Sequence, residues 1–300
     1  MSLQLFDTPG PKARRQLACW NTGFGIAFAA FAGFIIWSLN EAGQFNPAYW
    51  TPFLDPGIIK ALVRGLVATL RAAIYAIMLG LVIGAILAVG RLSGRIWIRV
   101  PATIIIEFFR SLPPLLLVLF LFLAFTFAFG RFGSFLMGFL PGTLVAILGI
   151  DQMDRLGPLV FALALYQGAI LAEIFRGGLL ALPRGQAEAG YSIGLTKGAV
   201  LRFILAPQAI RIMLPTTVSE LIILLKLTAL GYIISYQELL RTGRLITASY
   251  NNIIPTATVM LVIYVLLNMA IARFARWMQE RQEHHYGATS LSQMNVAHAA

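Results

Sequence analysis

Positions 188–207 of the chain read EAGYSIGLTKGAVLRFILAP, a polar segment with glycines that separates two strongly apolar stretches. Its charged residues are Glu188, Lys197 and Arg202. Because such charges are costly inside a bilayer, we expect the segment to lie in water between two membrane spans. It is also far longer than a minimal turn, and this length indicates a surface that contacts a soluble partner.

The composition of the whole chain is that of a membrane protein. Of the 300 residues, 59% are hydrophobic and only 12% are charged, and the mean hydropathy is +0.80. A soluble domain has about 25% charged residues, so this chain lacks the polar side chains to cover a soluble surface. We interpret the net charge of +11 as basic residues retained in cytoplasmic loops, and expect no nucleic-acid partner.

Six apolar segments are long enough to span a bilayer, for which about 20 residues suffice. They predict an all-α, multi-pass membrane protein with spans at residues 17–39, 57–90, 101–129, 157–182, 212–235 and 254–278. The first segment contains Ala30-Phe31-Ala32, which also fits a signal-peptide cleavage pattern. Because its apolar run continues to Leu39, we favour an uncleaved anchor.

The distribution of Lys and Arg predicts the orientation of the spans. An N-terminus in the cytoplasm places most basic residues inside: Lys12, Arg14, Arg15, Arg91, Arg95, Arg99, Arg184, Lys197, Arg202, Arg276 and Arg281. The predicted divisions are a cytoplasmic segment 1–16, the anchor 17–39, a transmembrane domain 57–278 and a cytoplasmic tail 279–300. Within the transmembrane domain, residues 183–211 form a cytoplasmic loop and residues 130–156 an external loop.

Two predicted external segments have distinct character. The apolar core of the first, residues 136–150, is too short for a span, and we interpret it as an interfacial or re-entrant piece. Residues 236–252 are polar and are also expected outside the membrane.

No catalytic constellation and no metal-binding pattern stand out in the chain. It lacks the phosphate-loop and HExxH motifs. Its single cysteine, Cys19, excludes an internal disulfide. The three histidines, His284, His285 and His298, lie in the polar tail, where solvation is expected. We therefore expect no catalytic residue and no metal site, and any work against a gradient would draw on another chain or on coupled ions.

Charged residues within the apolar segments are candidates for a substrate pathway, since each costs about 2.5–3.5 kcal/mol on insertion scales. Glu107 and Arg110 are three residues apart, as are Glu173 and Arg176, so each pair shares a helical face and can form an internal ion pair. Pro113-Pro114 is predicted to break or kink its helix. The pathway candidates are Arg71, Glu107, Arg110, Glu220 and Lys226.

Residues 172–215 strongly resemble the permease subunits of binding-protein-dependent ABC importers, specifically the polar amino acid subfamily. The family's cytoplasmic signature is Glu-Ala-Ala, three residues, Gly, nine residues and Ile-x-Leu-Pro. Here it is found as Glu188-Ala189-Gly190, Gly194 and Ile204-Leu205-Ala206-Pro207. Gly190 and Ala206 replace the usual Ala and Leu. Other subfamily motifs match at 107–113, 173–178, 185–189, 207–209 and 225–230, where Leu227 and Ala229 replace Asp and Ser.

The resemblance implies the type I ABC importer permease fold, with five core transmembrane helices plus one N-terminal helix. It implies a bacterial cytoplasmic (inner) membrane and cytoplasmic N- and C-termini. Segment 188–207 would form coupling helices docked on an ATPase subunit, with Gly194 in a tight turn. Glu188 would pair with a basic group of the ATPase or cap the following turn. The residues implied in coupling are Glu188, Ala189, Gly190, Gly194 and Pro207.

The implied partners are an ABC ATPase dimer that carries ATP and Mg, a second permease subunit, identical or different, an extracytoplasmic amino acid binding protein and membrane lipid. The chain itself would need no cofactor and would not be an enzyme. For a polar amino acid, Glu220 suits the ammonium group, and Arg71, Arg110 or Lys226 suit carboxylates. This basic surplus favours a glutamate-like substrate. An ion-coupled secondary transporter and a membrane scaffold that recruits a soluble partner are the alternatives.

Overall fold

The computed structural model describes residues 10–273 and 277. Within these residues the regular secondary structure is helical, and six helices are long and apolar enough to cross a membrane. These are Trp20–Glu41, Pro56–Arg91, Pro114–Met137, Ile150–Leu180, Lys197–Tyr232 and Ile253–Arg273. The predicted helical class is confirmed, whereas the predicted tail 279–300 lies outside the described residues.

The N-terminal helix stands apart from the buried core. Helix α1 covers Pro11–Glu41, and its apolar side chains from Trp20 onward are largely exposed on this chain. Two short 3₁₀ turns, Pro47–Tyr49 and Thr51–Leu54, then lead to α2, Pro56–Arg91. The Asp55 carboxylate accepts a hydrogen bond from the Gly57 N–H over 2.6 Å, and this N-cap fixes where α2 begins.

The core of the bundle is built around helix α6, Met153–Leu180, which packs against α2, α4 (Pro114–Met137) and α9 (Ala206–Leu227). Small residues allow α2 and α6 to approach closely. A Cβ atom on Gly84 would lie 2.8 Å from the Leu171 Cβ, closer than packed side chains come. In lipid, where apolar burial between helices contributes little, such close contact of small residues is a main source of association.

The predicted third span, 101–129, is wrong as a single helix. The chain instead forms α3, Ile96–Ser111, and a separate α4, Pro114–Met137. Leu112 between them is extended, with φ −81° and ψ 134°, because a residue that precedes proline is forced out of the helical region. The predicted break at Pro113-Pro114 is confirmed, and at about 1.5 Å per residue α3 is too short to cross a bilayer.

Predicted loop 130–156 is also more helical than expected. Helix α4 continues to Met137, the short α5 covers Gly142–Leu148, and a 3₁₀ turn, Ile150–Gln152, leads directly into α6. The seven residues of α5 agree with the expectation that this region holds no further span.

The described residues after α6 form further helices and helical turns. Helix α7, Arg184–Ser192, precedes one continuous helix that begins at Lys197, so the predicted loop 183–211 is mostly helical. That continuous helix consists of α8 (Lys197–Ala199), a π-helical turn (Val200–Leu205), α9 and a 3₁₀ turn (Thr228–Tyr232). Helix α10, Leu239–Tyr250, occupies the predicted polar segment 236–252, and α11, Ile253–Arg273, follows it.

Candidate coupling segment and charged clusters

The turn between α7 and α8 contains the glycine that the sequence singled out. Gly194 has a φ of +83°, the left-handed region that glycine adopts without the penalty of a Cβ. Its N–H donates to the Tyr191 carbonyl over 2.9 Å, and the Leu195 N–H donates to the Gly190 carbonyl over 3.2 Å. These bonds satisfy carbonyls at the end of α7, as in other glycine-terminated helices. The predicted role of Gly194 in a tight turn is confirmed.

Glu188 does not cap the following helix, so that alternative is wrong. Glu188 lies inside α7 and is exposed. The cap is Thr196, whose hydroxyl accepts a hydrogen bond from the Ala199 N–H over 3.3 Å. The Glu188 and Ala189 side chains are therefore available on the surface of α7, where the other predicted role, contact with a partner, stays a prediction.

Gly190 forms the contact between α7 and the π-helical turn. It is buried, and a Cβ at this position would lie 2.8 Å from both the Ile204 Cδ1 and the Val200 Cγ2. The replacement of the family's usual Ala by Gly thus has a local reason, since α7 packs too closely here for a methyl group without displacement of its neighbours. No spacing rule within the sequence could have indicated this long-range fit.

Pro207 explains the π-helical turn that precedes it. Proline has no N–H, so the carbonyl four residues earlier, that of Phe203, cannot receive its ordinary helical hydrogen bond. A helix absorbs such a gap by a local widening, and the turn Val200–Leu205 has this form. The coupling segment thus ends in a distorted turn that joins it directly to the membrane-spanning part of α9.

Two glutamines that the sequence placed in separate motifs are hydrogen-bonded to each other. The Gln208 amide donates to the Gln186 side-chain oxygen over 3.3 Å and to the Ile204 carbonyl over 3.0 Å. The contact links α7 to the start of α9. Neither glutamine was predicted as a site residue. Their positions in the matched motifs 185–189 and 207–209 could have indicated a functional role.

The surface of the coupling segment combines polar and apolar groups. Ile193 is 76% exposed and Tyr191 is 45% exposed, beside the exposed Glu188 and Gly194. Large apolar side chains outside the spans are costly to leave in water when they lie next to one another. This patch, formed by Glu188, Tyr191, Ile193 and Gly194, is therefore suited to cover by another protein.

The two predicted ion pairs form one network through a third residue. Arg176 donates to the Glu173 carboxylate over 3.1 and 3.2 Å, which confirms that pair. Arg110 and Glu107 lie at 4.0 Å. Arg91, at the end of α2, contacts Glu173 and lies 3.3 Å from the Glu107 carboxylate. The sequence identified Arg91 only as a cytoplasmic basic residue, and the packing of α2, α3 and α6 gives it this bridging position.

Arg71 is held by backbone carbonyls of the segment that follows α4. Its guanidinium donates to the carbonyls of Ala146 and Ile147, over 2.9 and 3.3 Å, and to the Tyr236 hydroxyl over 3.3 Å. The two carbonyls lie at the C-terminal end of α5, where a positive charge is favourable. Arg71 thus has partners about 75 and 165 positions away, which a local pattern does not reveal.

The predicted pathway residues do not converge on one point within the chain. Arg71 and Arg91 are 20 residues apart on α2, which corresponds to about 30 Å along a helix. Glu107 lies beside Arg91 at the far end, so it and Arg71 cannot contact the same small substrate together. Glu220 and Lys226 lie on α9, and among the described residues neither has a recorded ion pair or hydrogen bond.

Glu238 is a buried residue that was not predicted as a site residue from the sequence. It precedes α10 and accepts hydrogen bonds from the N–H groups of Leu240 and Arg241, over 2.8 and 2.7 Å, and from the Tyr264 hydroxyl over 3.2 Å. Burial raises the pKa of Glu238 to about 7, against the opposite effect of these donors. The Leu239 N–H donates to the Thr69 hydroxyl over 3.1 Å, so this corner joins α10 to α11 and α2.

Comparison with known sequences decides the family. Residues 58–284 match the family described as the binding-protein-dependent transport system inner membrane component. This chain belongs to that family. The match covers the predicted transmembrane domain and confirms the family resemblance of the coupling segment. The family description also agrees with an inner-membrane location, since the described residues include six helices apolar enough to cross a membrane.

Two relatives in this family carry names of amino acid permeases. The glutamate transport system permease protein GluD of Corynebacterium glutamicum is 33% identical over 187 residues, 62% of each chain. The probable glutamine ABC transporter permease protein GlnP of Bacillus subtilis is 32% identical over 182 residues, 60% of this chain and 74% of its own. The matched segment thus spans somewhat less than two thirds of the glutamate permease.

Two solved structures share the fold. The crystal structure of an amino acid ABC transporter with histidines matches 77% of this chain and 98% of its own, with a TM-score of 0.64 and 24% identity. An inward-facing structure of the MetNI methionine ABC transporter matches 76% of this chain, with a TM-score of 0.56 and 22% identity. The predicted type I importer permease fold is thereby confirmed.

Proposed function

We propose that this chain is the permease subunit of an ATP-driven importer that moves a polar amino acid, glutamate-like in charge, across the cytoplasmic membrane. ATP hydrolysis is carried by a separate ATPase dimer, which binds ATP and Mg, and this chain is not an enzyme. A second permease subunit completes the pathway, and an extracytoplasmic binding protein delivers the substrate. Both termini lie in the cytoplasm.

The patch on the coupling segment is the observation that carries the proposal. It exposes Tyr191 and Ile193 outside the spans, and the adjoining helix runs without interruption from Lys197 to Tyr232. A force applied to the patch therefore acts on a helix that crosses the membrane. The Gln186–Gln208 hydrogen bond and the close packing at Gly190 connect α7 to this helix. In this proposal α7 and the helix therefore move together.

The exposed face of α9 supports the position of the pathway. Thr216, Ser219, Ile223 and Lys226 recur every three or four residues and are all exposed on this chain. Polar groups on a membrane-spanning helix avoid lipid and face a cavity or a partner helix. The second permease subunit is the partner that would cover this stripe.

The proposed substrate class rests on two charged residues of α9 for which no ion pair is recorded within the described part of the chain. Lys226 offers an ammonium group to a carboxylate, and the half-buried Glu220 offers a carboxylate to an amino group. Arg71 is already engaged by three acceptors, so Lys226 is the better candidate for direct contact. The names of the glutamate and glutamine permeases are consistent with a polar amino acid.

The coupling surface is tested by Ile193→Asp in the full-length protein, purified from its native host in the assembly that it forms. We expect the variant to lose the co-purified ATPase and the ATP hydrolysis stimulated by binding protein and amino acid. The matched control is Leu54→Asp, since Leu54 is 79% exposed and also lies outside the spans, but on the connection before α2.

Retention of the ATPase by Ile193→Asp would remove this patch as the coupling surface. Amino acid uptake that persists after ATP depletion and stops when the ion gradient is dissipated would instead establish a secondary transporter. Binding of a soluble protein without any substrate movement would establish a scaffold.

A further inference from the structure

A cationic cavity lies where α2 and α6 end and α3 begins. Its volume is about 510 Å³, and Arg91, Arg99 and Arg176 line it together with Ser93, Thr103 and Leu180. These residues come from three helices and from the connection between α2 and α3. The cavity is thus formed by the packing of the bundle and not by one loop.

The charges around the cavity leave a positive excess. Arg91 and Arg176 share the carboxylate of Glu173, and Arg91 also reaches Glu107. Within residues 10–273 and 277, no ion pair is recorded for the Arg99 guanidinium, and that residue is exposed. The Thr103 hydroxyl donates to the Arg99 backbone carbonyl over 2.9 Å, within α3. This bond does not involve the Arg99 guanidinium.

The surroundings of the cavity are apolar. Trp97 on α3 is 88% exposed, and Val100, Ile104 and Leu180 are exposed as well. Helix α3 therefore has a basic part and an apolar part, as helices that lie in the membrane interface do. A soluble anion would contact only the arginines. A phospholipid can place its phosphate at the arginines and its acyl chains against the apolar side chains.

We propose that this cavity binds the phosphate group of an anionic phospholipid. The phosphate is held by the Arg99 guanidinium and by Nη1 of Arg176, the nitrogen that does not bond Glu173. Thr103 and Ser93 lie beside the phosphate. The acyl chains lie along Trp97 and Ile104. Arginine suits this task because its planar donors match phosphate oxygens. Basic pockets between membrane helices are known positions for acidic headgroups. The proposal does not depend on which substrate is transported.

The test compares Arg99→Gln with Arg131→Gln in the full-length protein, purified in the assembly that it forms. Arg99→Gln removes no contact recorded within the described chain, so the fold is expected to persist. Arg131→Gln makes the same charge change on α4, away from the cavity. Native mass spectrometry would measure retention of added phosphatidylglycerol against phosphatidylcholine. We expect Arg99→Gln to weaken phosphatidylglycerol binding about fivefold, equivalent to about 1 kcal/mol, and Arg131→Gln to change it less than about twofold.

Equal retention of phosphatidylglycerol by wild type and Arg99→Gln would overturn the proposal. Preference for phosphatidylglycerol that falls equally in both variants would also overturn it, because only general surface charge would then be involved. A second arm adds inorganic phosphate in millimolar excess. Displacement of the lipid by phosphate alone would assign the cavity to a soluble anion and reject the lipid.

Discussion

The Gln208 side-chain amide donates to the Gln186 side-chain oxygen over 3.3 Å and so connects α7 to the first turn of α9. Gln208 also donates to the Ile204 carbonyl over 3.0 Å, in the π-helical turn between them. Among the hydrogen bonds recorded for the described residues, the two elements share no other bond between side chains. We therefore predict that this bond helps to transmit displacement of the coupling segment to the membrane-spanning helix.

Replacement of either glutamine by leucine tests this connection. Gln186→Leu removes one hydrogen bond and is expected to cost about 0.5–1.5 kcal/mol of stability. Gln208→Leu removes two bonds and should cost more. In a double-mutant cycle, the loss in stimulated ATP hydrolysis should be less than additive, since both variants break the same bond. Strict additivity in that assay would show that the two side chains act independently.

Gly194 offers a test of the turn itself. A Cβ at this position meets no atom within 4 Å, so space does not limit substitution and only the backbone conformation does. Gly194→Val is expected to cost about 1–2 kcal/mol, because a β-branched residue is strained at positive φ. Gly194→Asn should cost less, since asparagine tolerates this conformation. Thermal unfolding of both variants measures the difference, and equal losses would contradict the backbone explanation.

Arg71 fastens the segment around α5 to the bundle, and its removal should release that segment. Arg71→Gln loses charge-assisted hydrogen bonds to two carbonyls, each with a typical value of about 1.5–3 kcal/mol. We expect faster hydrogen exchange over residues 142–152 with little change elsewhere. Arg64→Gln on the same helix is the control, as it has no recorded partner among the described residues. Unchanged exchange in Arg71→Gln would show that other contacts hold α5.

The ion network at the end of α2 predicts unequal effects of its members. The Arg91 and Glu173 side chains are 19% and 18% exposed, whereas Glu107 is 54% exposed. Arg91→Gln leaves Glu173 with Arg176 alone and is expected to cost about 2 kcal/mol, between the values of exposed and fully buried pairs. Glu107→Gln should cost less than about 1 kcal/mol. The order of the two losses in thermal stability checks the network, and a reversed order would contradict it.

Glu238 predicts a pH dependence of stability with a defined sign. Its pKa is raised from 4.5 to about 7 by burial, so between these values the folded protein holds a proton that the unfolded chain has released. The free energy of unfolding therefore falls as the pH rises through this window, by an amount on the order of 3 kcal/mol.

Glu238→Gln provides the matching measurement. It removes the titrating group but keeps a side-chain oxygen that can accept from the start of α10. The free energy of unfolding is measured between pH 4.5 and pH 7. We expect its fall with rising pH to disappear in Glu238→Gln and to persist in Glu41→Gln, where the carboxyl is exposed. A slope that persists in Glu238→Gln would mean that another group causes it.

Local sequence rules predicted those parts of the molecule that depend on neighbouring residues. The helical class and the number of spans follow from apolar runs, because backbone polar groups in lipid must be satisfied within a helix. The break at Pro113-Pro114, the turn at Gly194 and the Glu173–Arg176 pair likewise need only the geometry of a few adjacent residues. The predicted third span, 101–129, failed because two helices, Ile96–Ser111 and Pro114–Met137, take its place and extend beyond both of its ends.

The tertiary structure decided the partners that lie far apart along the chain. Arg91 between Glu107 and Glu173, Arg71 at the end of α5, and the buried Glu238 each depend on how complete helices pack. Helical periodicity states which side of a helix a residue occupies, but not which other helix lies there. The sequence by itself therefore determined the helical class, the number of membrane spans and the family. The packing of α2, α3 and α6 determined which charges on these helices form ion pairs.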